Sequence, residues 1–181
     1  SHQDYVFGNL DPPISEIDYY SSLAKFIKKF QKENNIEVKF ATHPKSKKNN
    51  YEDLLEGIKC YKGDTANLVK NSKAVLLHAS TSVSFAVLYK KPTIFLISNK
   101  LKQSWIGSRI ENFASILNSQ IINIDNPLTK LNDFEKSLKV DEKKYQNYLD
   151  LYIKYPNSAD VPLWEIFTKY IKDKKLNINK Y

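Results

Sequence analysis

Two short apolar runs place the tightest constraint on the fold of this chain. Residues 74–78 and 92–97 are almost continuously apolar, which is the pattern of a strand buried on both faces of a sheet. Weaker patterns of the same kind predict further strands at residues 5–7, 36–41, 58–61 and 120–124.

Segments with helical periodicity separate these strands. The clearest begins at Ser15, a favourable N-cap, and continues to Asn34. Other helices are predicted at residues 51–55, 65–70 (with Asp64 as its cap), 83–89, 109–117, 141–155 and 161–174. Strands that alternate with helices form parallel sheets joined by crossovers. We therefore predict an α/β fold in which helices flank a doubly wound parallel sheet.

The chain length of 181 residues is typical of one domain, which we place at 1–181 with a helical C-terminal segment at 141–175. We expect the aromatic residues of this segment to pack mainly on the domain's own sheet, with docking on another domain as the alternative. These residues are Tyr148, Tyr152, Trp164 and Phe167. Because the sequence contains no methionine, we expect a piece of a longer protein whose remainder lies upstream.

Lysine dominates the charge of the chain. Lys and Arg total 28 against 20 Asp and Glu, a net charge of +8, but Arg109 is the only arginine. Arginine is the usual reader of bases and phosphates in nucleic-acid sites, so we favour a solvated surface without nucleic-acid binding. An anionic small ligand or an anionic membrane surface remains compatible with this charge.

Two further features bear on the cellular compartment. Cys60 is the single cysteine, which excludes an internal disulfide, and its place in a predicted strand indicates a buried thiol. No apolar run approaches the roughly 18 residues needed to span a bilayer. The sequence therefore predicts a cytosolic protein.

One polar group follows the predicted strand 36–41. In doubly wound sheets, ligands bind beyond the carboxyl ends of the strands, where His43, Pro44 and Lys45 stand in this chain. The His43 imidazole could donate to a phosphate oxygen there, and a merely packed or solvated histidine is the alternative. His78, inside an apolar run, is assigned to the core.

A second polar group, Ser80-Thr81-Ser82, follows the buried run 74–78 and precedes a predicted helix. Free backbone N–H groups at a helix start attract anions, and the hydroxyls of Ser80, Thr81 and Ser82 add directed donors. Simple helix capping is the alternative. Thr65, which opens another short helix, is a weaker candidate of the same kind.

The sequence lacks the usual motifs for binding phosphate through a glycine-rich loop or a metal ion. Its glycines, at positions 8, 57, 63 and 107, are isolated and form no phosphate loop. There is no closely spaced aspartate pair and no His/Cys cluster at ligand spacing, so we expect no metal and no cofactor. The protein's own donors would have to neutralise a bound phosphate.

The order of these groups resembles a known family. The segments Ala41–Lys45 and His78–Pro92 are similar to the His-Pro and Ser-Ser/Thr motifs in the C-terminal domain of GT-B fold bacterial glycosyltransferases. Sialyltransferases and polysialyltransferases are the most similar, followed by capsular Kdo transferases and CDP-glycerol polymerases. The likeness covers roughly residues 4–125, with a Rossmann-like half of a GT-B enzyme as the implied fold.

The resemblance implies that His43, Ser80, Thr81 and Ser82 bind the phosphate of a nucleotide-activated sugar, CMP-sugar by preference. It implies metal-independent inverting transfer to a glycan or lipid-linked acceptor in surface-polysaccharide or lipooligosaccharide synthesis. The catalytic base would lie in an N-terminal domain, so the catalytic residues stay unassigned and the fragment alone would be inactive. The implied location is the cytoplasm, with peripheral association with the inner face of the cell membrane left open.

Three alternatives are retained. The first is a UDP- or GDP-sugar transferase or a CDP-glycerol type polymerase. The second is a non-catalytic nucleotide-binding module. The third is a nucleotide-sugar 2-epimerase, which shares the fold but would need acidic residues in turns where this sequence has none.

Overall fold

A computed structural model of the chain describes residues 12–43, 51–126, 134, 138–159 and 161–178. Within these ranges the strands are β1 (Phe40–Thr42), β2 (Cys60–Lys62), β3 (Val75–Leu77), β4 (Thr93–Ile97) and β5 (Gln120–Asn123). The helices before β4 are α1 (Glu16–Asn34), α2 (Tyr51–Leu54), α3 (Thr65–Lys70) and α4 (Val83–Leu88). Those after it are α5 (Asn99–Lys102), α6 (Trp105–Leu117), α7 (Glu142–Tyr148) and α8 (Leu163–Ile178). A π-helical turn at Leu149–Ile153 follows α7.

The described strands form two small parallel sheets. β1 pairs with β2, and β3, β4 and β5 pair in that order. The prediction of an α/β fold with parallel strands and flanking helices is confirmed. The predicted strand at 5–7 lies outside the described residues.

Strand β4 shows why the three-stranded sheet is covered on both faces. All five of its residues are buried, and alternate side chains enter different apolar cores because side chains of a strand point to opposite faces. Ile94 and Leu96 face a core shared with α1. Phe95 and Ile97 face a second core, shared with α4, α6 and α7.

Helix α1 is specified locally by its ends and its apolar stripe. The Ser15 hydroxyl accepts from the Asp18 amide at 3.1 Å, as expected for an N-cap, and Asn35 ends the helix with a left-handed backbone, φ 49°. Its buried residues follow helical spacing: Leu23, Ala24, Phe26, Ile27 and Phe30. Each large side chain of this stripe contributes about 1.5–3 kcal/mol by burial.

Helix α7 is fixed to the start of β4 by a buried hydroxyl chain. Tyr145 donates its proton to the Lys91 carbonyl at 2.8 Å, so it can only accept at its contact with the Thr93 hydroxyl, 3.0 Å away. Thr93 in turn lies 2.6 Å from the Ser119 hydroxyl, which must then donate to it. The hydrogen bonds therefore all run in one direction, from Ser119 through Thr93 and Tyr145 to the Lys91 carbonyl.

The C-terminal helices depart from the expected packing. Tyr148 is buried and its hydroxyl bonds to the Ser84 side chain, but Tyr152, Trp164 and Phe167 are exposed. The expectation that all four aromatics pack mainly on the sheet is wrong, because α8 is exposed along every side chain described in it.

Smaller corrections concern element boundaries and single residues. Of the predicted strand 36–41 only Phe40 and Ala41 pair, and the strand continues to Thr42. Helix α6 begins at Trp105, four residues earlier than predicted. Asp64 makes no side-chain cap on α3. Cys60 is half-buried rather than buried, although burial still raises the pKa of its thiol to about 11.

Candidate functional site

The turn after β3 is organised by its own hydroxyls. Ser80 Oγ accepts from the Ser82 amide at 3.2 Å and donates to Ser82 Oγ at 3.1 Å. This bonding leaves the intervening Thr81 exposed at the tip of the turn. The three predicted residues therefore lie together in one tight turn between β3 and α4.

Three backbone amides at this turn, those of Ser82, Val83 and Ser84, are engaged in bonds within it. The Val83 amide donates to the Ser80 carbonyl at 3.2 Å and the Ser84 amide to the Thr81 carbonyl at 3.1 Å. The Ser82 amide is taken by Ser80 Oγ. The expectation of free N–H groups is thus wrong for these three, since the turn tightens onto i→i+3 bonds before α4 begins. A ligand at this turn would be held mainly by side-chain hydroxyls.

His78 is half-buried rather than a core residue, but both of its ring nitrogens are hydrogen-bonded. Its Nδ1–H donates to the Leu96 carbonyl at 2.7 Å, and its Nε2 accepts from the Tyr19 hydroxyl. Burial lowers the pKa of His78 to about 4, and the bond to the Leu96 carbonyl opposes this shift only in part. Both ring nitrogens of the neutral imidazole are therefore satisfied inside the fold.

The end of β1 carries a second group of polar side chains. Thr42 is buried and donates to the Tyr61 carbonyl at 3.2 Å, which fastens β1 to β2. His43 follows it and is exposed. The predicted Pro44 and Lys45 lie outside the described residues.

A chain of aromatic contacts links β1 to the end of β3. Tyr19 and Tyr20, neighbours on α1, have ring centroids 5.2 Å apart. The Tyr19 ring lies 5.4 Å from His78, and the Tyr20 ring lies 6.4 Å from Phe40. One turn of α1 thus contacts both the first residue of β1 and the residue that follows β3.

Thr65 begins α3 as predicted and is half-buried. The carbonyl of Asp64, not its carboxylate, accepts the first helical bond, from the Leu68 amide at 3.0 Å. Helix α3, which Thr65 begins, contacts both β1 and α4, and a role of Thr65 in a site stays a prediction.

Sequence reasoning missed a third polar group, at the ends of β4 and β5. Asn123 Nδ2 donates to Asn99 Oδ1 at 2.7 Å, and the Asn99 amide donates to Asp125 Oδ2 at 2.8 Å. The Asp125 amide donates to Asn123 Oδ1 at 3.0 Å. The sequence signal for this group is the one that predicted the other two groups, namely polar residues at the end of an apolar strand. These groups satisfy one another and fasten α5 to β5.

The described part of the chain contains no group of three His, Cys, Asp or Glu side chains able to hold a metal ion. In the same ranges, no helix combines the length and the apolar character needed to cross a membrane. Comparisons with protein-family models, with curated proteins and with solved structures found no match to this chain.

Proposed function

We propose that this chain is the nucleotide-sugar-binding domain of a GT-B type glycosyltransferase, with a Rossmann-like, doubly wound sheet. The two small sheets would then form one layer in the order β2-β1-β3-β4-β5, whose direction of winding reverses between β1 and β3. The observation that carries the proposal is the aromatic chain from His78 through Tyr19 and Tyr20 to Phe40. Ligands of doubly wound sheets bind at such a reversal point, outside the carboxyl ends of the strands.

In this arrangement the nucleotide phosphate lies between the turn after β3 and the end of β1. The exposed Thr81 hydroxyl donates to a phosphate oxygen, with Ser80 and Ser82 shaping the turn, and the His43 ring donates from the other side. A hydrogen bond to a charged group contributes about 1.5–3 kcal/mol, so two or three suffice to hold one phosphate without a metal.

The proposed reaction is inverting transfer from a CMP-sugar, with UDP-, GDP- and CDP-activated donors as the other members of the class. The same donors that bind the phosphate would stabilise the departing nucleotide as the bond to the sugar breaks. No carboxylate is assigned as the base in this chain: Asp18 pairs with Lys100 at 3.8 Å, and Asp125 accepts from the Asn99 amide at the start of α5. The base that deprotonates the acceptor hydroxyl is therefore proposed to come from a second domain.

Calorimetric titration with CMP, CDP, UDP and GDP tests the proposal. His43→Ala and Thr81→Ala should each weaken nucleotide binding by roughly 10- to 150-fold, the equivalent of one charged hydrogen bond. Both side chains are exposed, so neither change should lower the melting temperature. The Ser80→Ala, Thr81→Ala double variant should bind no better than Thr81→Ala.

Ser108→Ala provides a matched control, since it removes an exposed hydroxyl near the start of α6 and should leave affinity unchanged. Equal affinity of wild type, His43→Ala and Thr81→Ala for every nucleotide would remove both residues from the site. Failure of the wild type to bind any of the four would overturn the proposed function itself.

A further inference from the structure

Helix α8 has no buried side chain among those described. Every residue from Leu163 to Lys174 is exposed, including the large apolar side chains of the helix. They are Leu163, Trp164, Ile166, Phe167, Tyr170 and Ile171.

Exposed apolar residues are concentrated in this part of the molecule. Of the sixteen large hydrophobic side chains exposed in the described residues, ten lie between Leu151 and Ile171. Single exposed apolar residues are ordinary, but a concentrated patch marks a surface that binds something.

The apolar residues of α8 form one stripe. Leu163, Phe167, Tyr170 and Ile171 recur at spacings of three and four, which places them on one face of the helix. Trp164 borders this face, with its ring 5.9 Å from that of Phe167. The opposite face carries Glu165, Lys169, Lys172 and Asp173.

The charges around the stripe decide between a second protein helix and a lipid surface. Lys174 falls on the apolar stripe, seven residues after Phe167, with its Nζ 5.7 Å from the centre of the Tyr170 ring. A helix packed against this stripe would bury that ammonium group and would have to supply an acid opposite it, a requirement that a lipid surface does not impose. At a bilayer, the lysine stem lies along apolar surface while the ammonium group reaches the lipid phosphates.

Composition adds a second argument for lipid. Lys174 lies on the stripe itself, and the whole chain carries +8. Each lysine near an anionic leaflet adds to the attraction. Tryptophan and tyrosine at the stripe combine an apolar ring with a polar group, which suits the headgroup region.

We propose that α8 lies in the interfacial plane of an anionic lipid bilayer, with Trp164, Phe167 and Ile171 in the acyl region and Lys174 at the headgroups. Binding by such a helix depends on buried apolar area together with attraction to anionic lipid. This surface is separate from the nucleotide site, so either proposal can fail without the other.

Flotation of the full chain with vesicles tests the proposal. The wild type should bind phosphatidylcholine vesicles containing phosphatidylglycerol at least about tenfold more strongly than phosphatidylcholine alone, and added salt should weaken this binding. In a Trp105→Phe background, Trp164 is the only tryptophan, and its emission should shift to the blue on adding anionic vesicles.

Variants separate the two components of binding. Trp164→Ser with Phe167→Ser should lower vesicle binding by about tenfold or more at an unchanged melting temperature, because both residues are exposed. Ile17→Ser is the matched control: Ile17 on α1 is 74% exposed, as is Trp164, and its variant should bind as the wild type does. Lys174→Glu should weaken the preference for anionic lipid.

Two outcomes would overturn the proposal. One is equal retention of the wild type and the Trp164→Ser, Phe167→Ser variant by anionic vesicles. The other is a wild-type dimer in light scattering that dissociates in the same variant and does not bind vesicles, which would assign the stripe to a second copy of the chain.

Discussion

Lowering the pH from 7 to 5 should cost this protein about 2 kcal/mol of folding free energy through His78 alone. In the folded protein, burial lowers the pKa of His78 from its ordinary 6.5 to about 4. A second ring proton would also displace the Tyr19 hydroxyl from Nε2. The unfolded chain takes up that proton at the ordinary pKa, so in this range it binds more protons than the folded chain.

Because the unfolded chain binds more protons, the folded state becomes less stable as the pH falls. The contribution of His78 is fully present above pH 6.5 and is lost as the pH falls toward 4. Complete titration corresponds to about 3 kcal/mol, of which about 2 kcal/mol is lost between pH 7 and pH 5. Most carboxylates titrate below this interval, which is why pH 5 is the better end point for isolating the histidine.

Urea unfolding followed by circular dichroism at the two pH values measures the effect. His78→Gln should be less stable than the wild type at pH 7 but should lose about 2 kcal/mol less on moving to pH 5. Tyr19→Phe should cost about 1–3 kcal/mol at pH 7, because it leaves the buried Nε2 without a donor. An equal pH-dependent loss in the wild type and His78→Gln would refute the assignment.

Three other predictions concern packing, a buried network and the ligand. Gly107→Ala should destabilise the fold by about 1–3 kcal/mol in thermal unfolding, because its new Cβ would meet the Leu101 and Lys102 carbonyl oxygens at 2.6 Å; an unchanged melting temperature would show that α5 can move aside. Tyr145→Phe should cost about 1–3 kcal/mol by leaving the Lys91 carbonyl unpaired, whereas Tyr155→Phe, 82% exposed, should cost nothing measurable; equal effects would contradict the network. Nucleotide affinity should be the same in EDTA and in magnesium, and a gain of more than about tenfold with magnesium would mean that a metal carries the phosphate charge.

The strands and helices could be predicted because their signals are local. The apolar runs ending at Leu77 and Ile97, and the capped helix that begins after Ser15, each follow from a few neighbouring residues. The C-terminal helices were found for the same reason. The surfaces that these helices pack against were not predicted, because amphipathic spacing shows that one face of a helix is apolar but not what covers that face. Trp164 and Tyr148 have similar patterns around them, yet one is exposed and the other buried.

For the candidate site, the sequence predicts which positions carry polar residues but not which groups bond to one another. That polar residues follow β1 and β3 is evident in the sequence, but the role of Tyr19 is not, because its partner His78 is distant along the chain. The engaged amides of Ser82, Val83 and Ser84 depend on how tightly the turn closes. Such bonds depend on backbone geometry, which residue identity constrains only weakly.

The polar residues at the strand ends divide according to where their hydrogen bonds go. Thr42 and His78 use theirs within the fold, and Ser80 and Ser82 bond to each other. A ligand that recruited any of these would first have to break a bond already made, so much of its own hydrogen-bond energy would be cancelled. The Thr81 hydroxyl is exposed at the tip of the turn after β3, a strand end that α1 ties to β1. Among the hydroxyls of this turn, Thr81 is therefore the one on which we place the proposed phosphate contact, and Ser80 and Ser82 shape the turn around it.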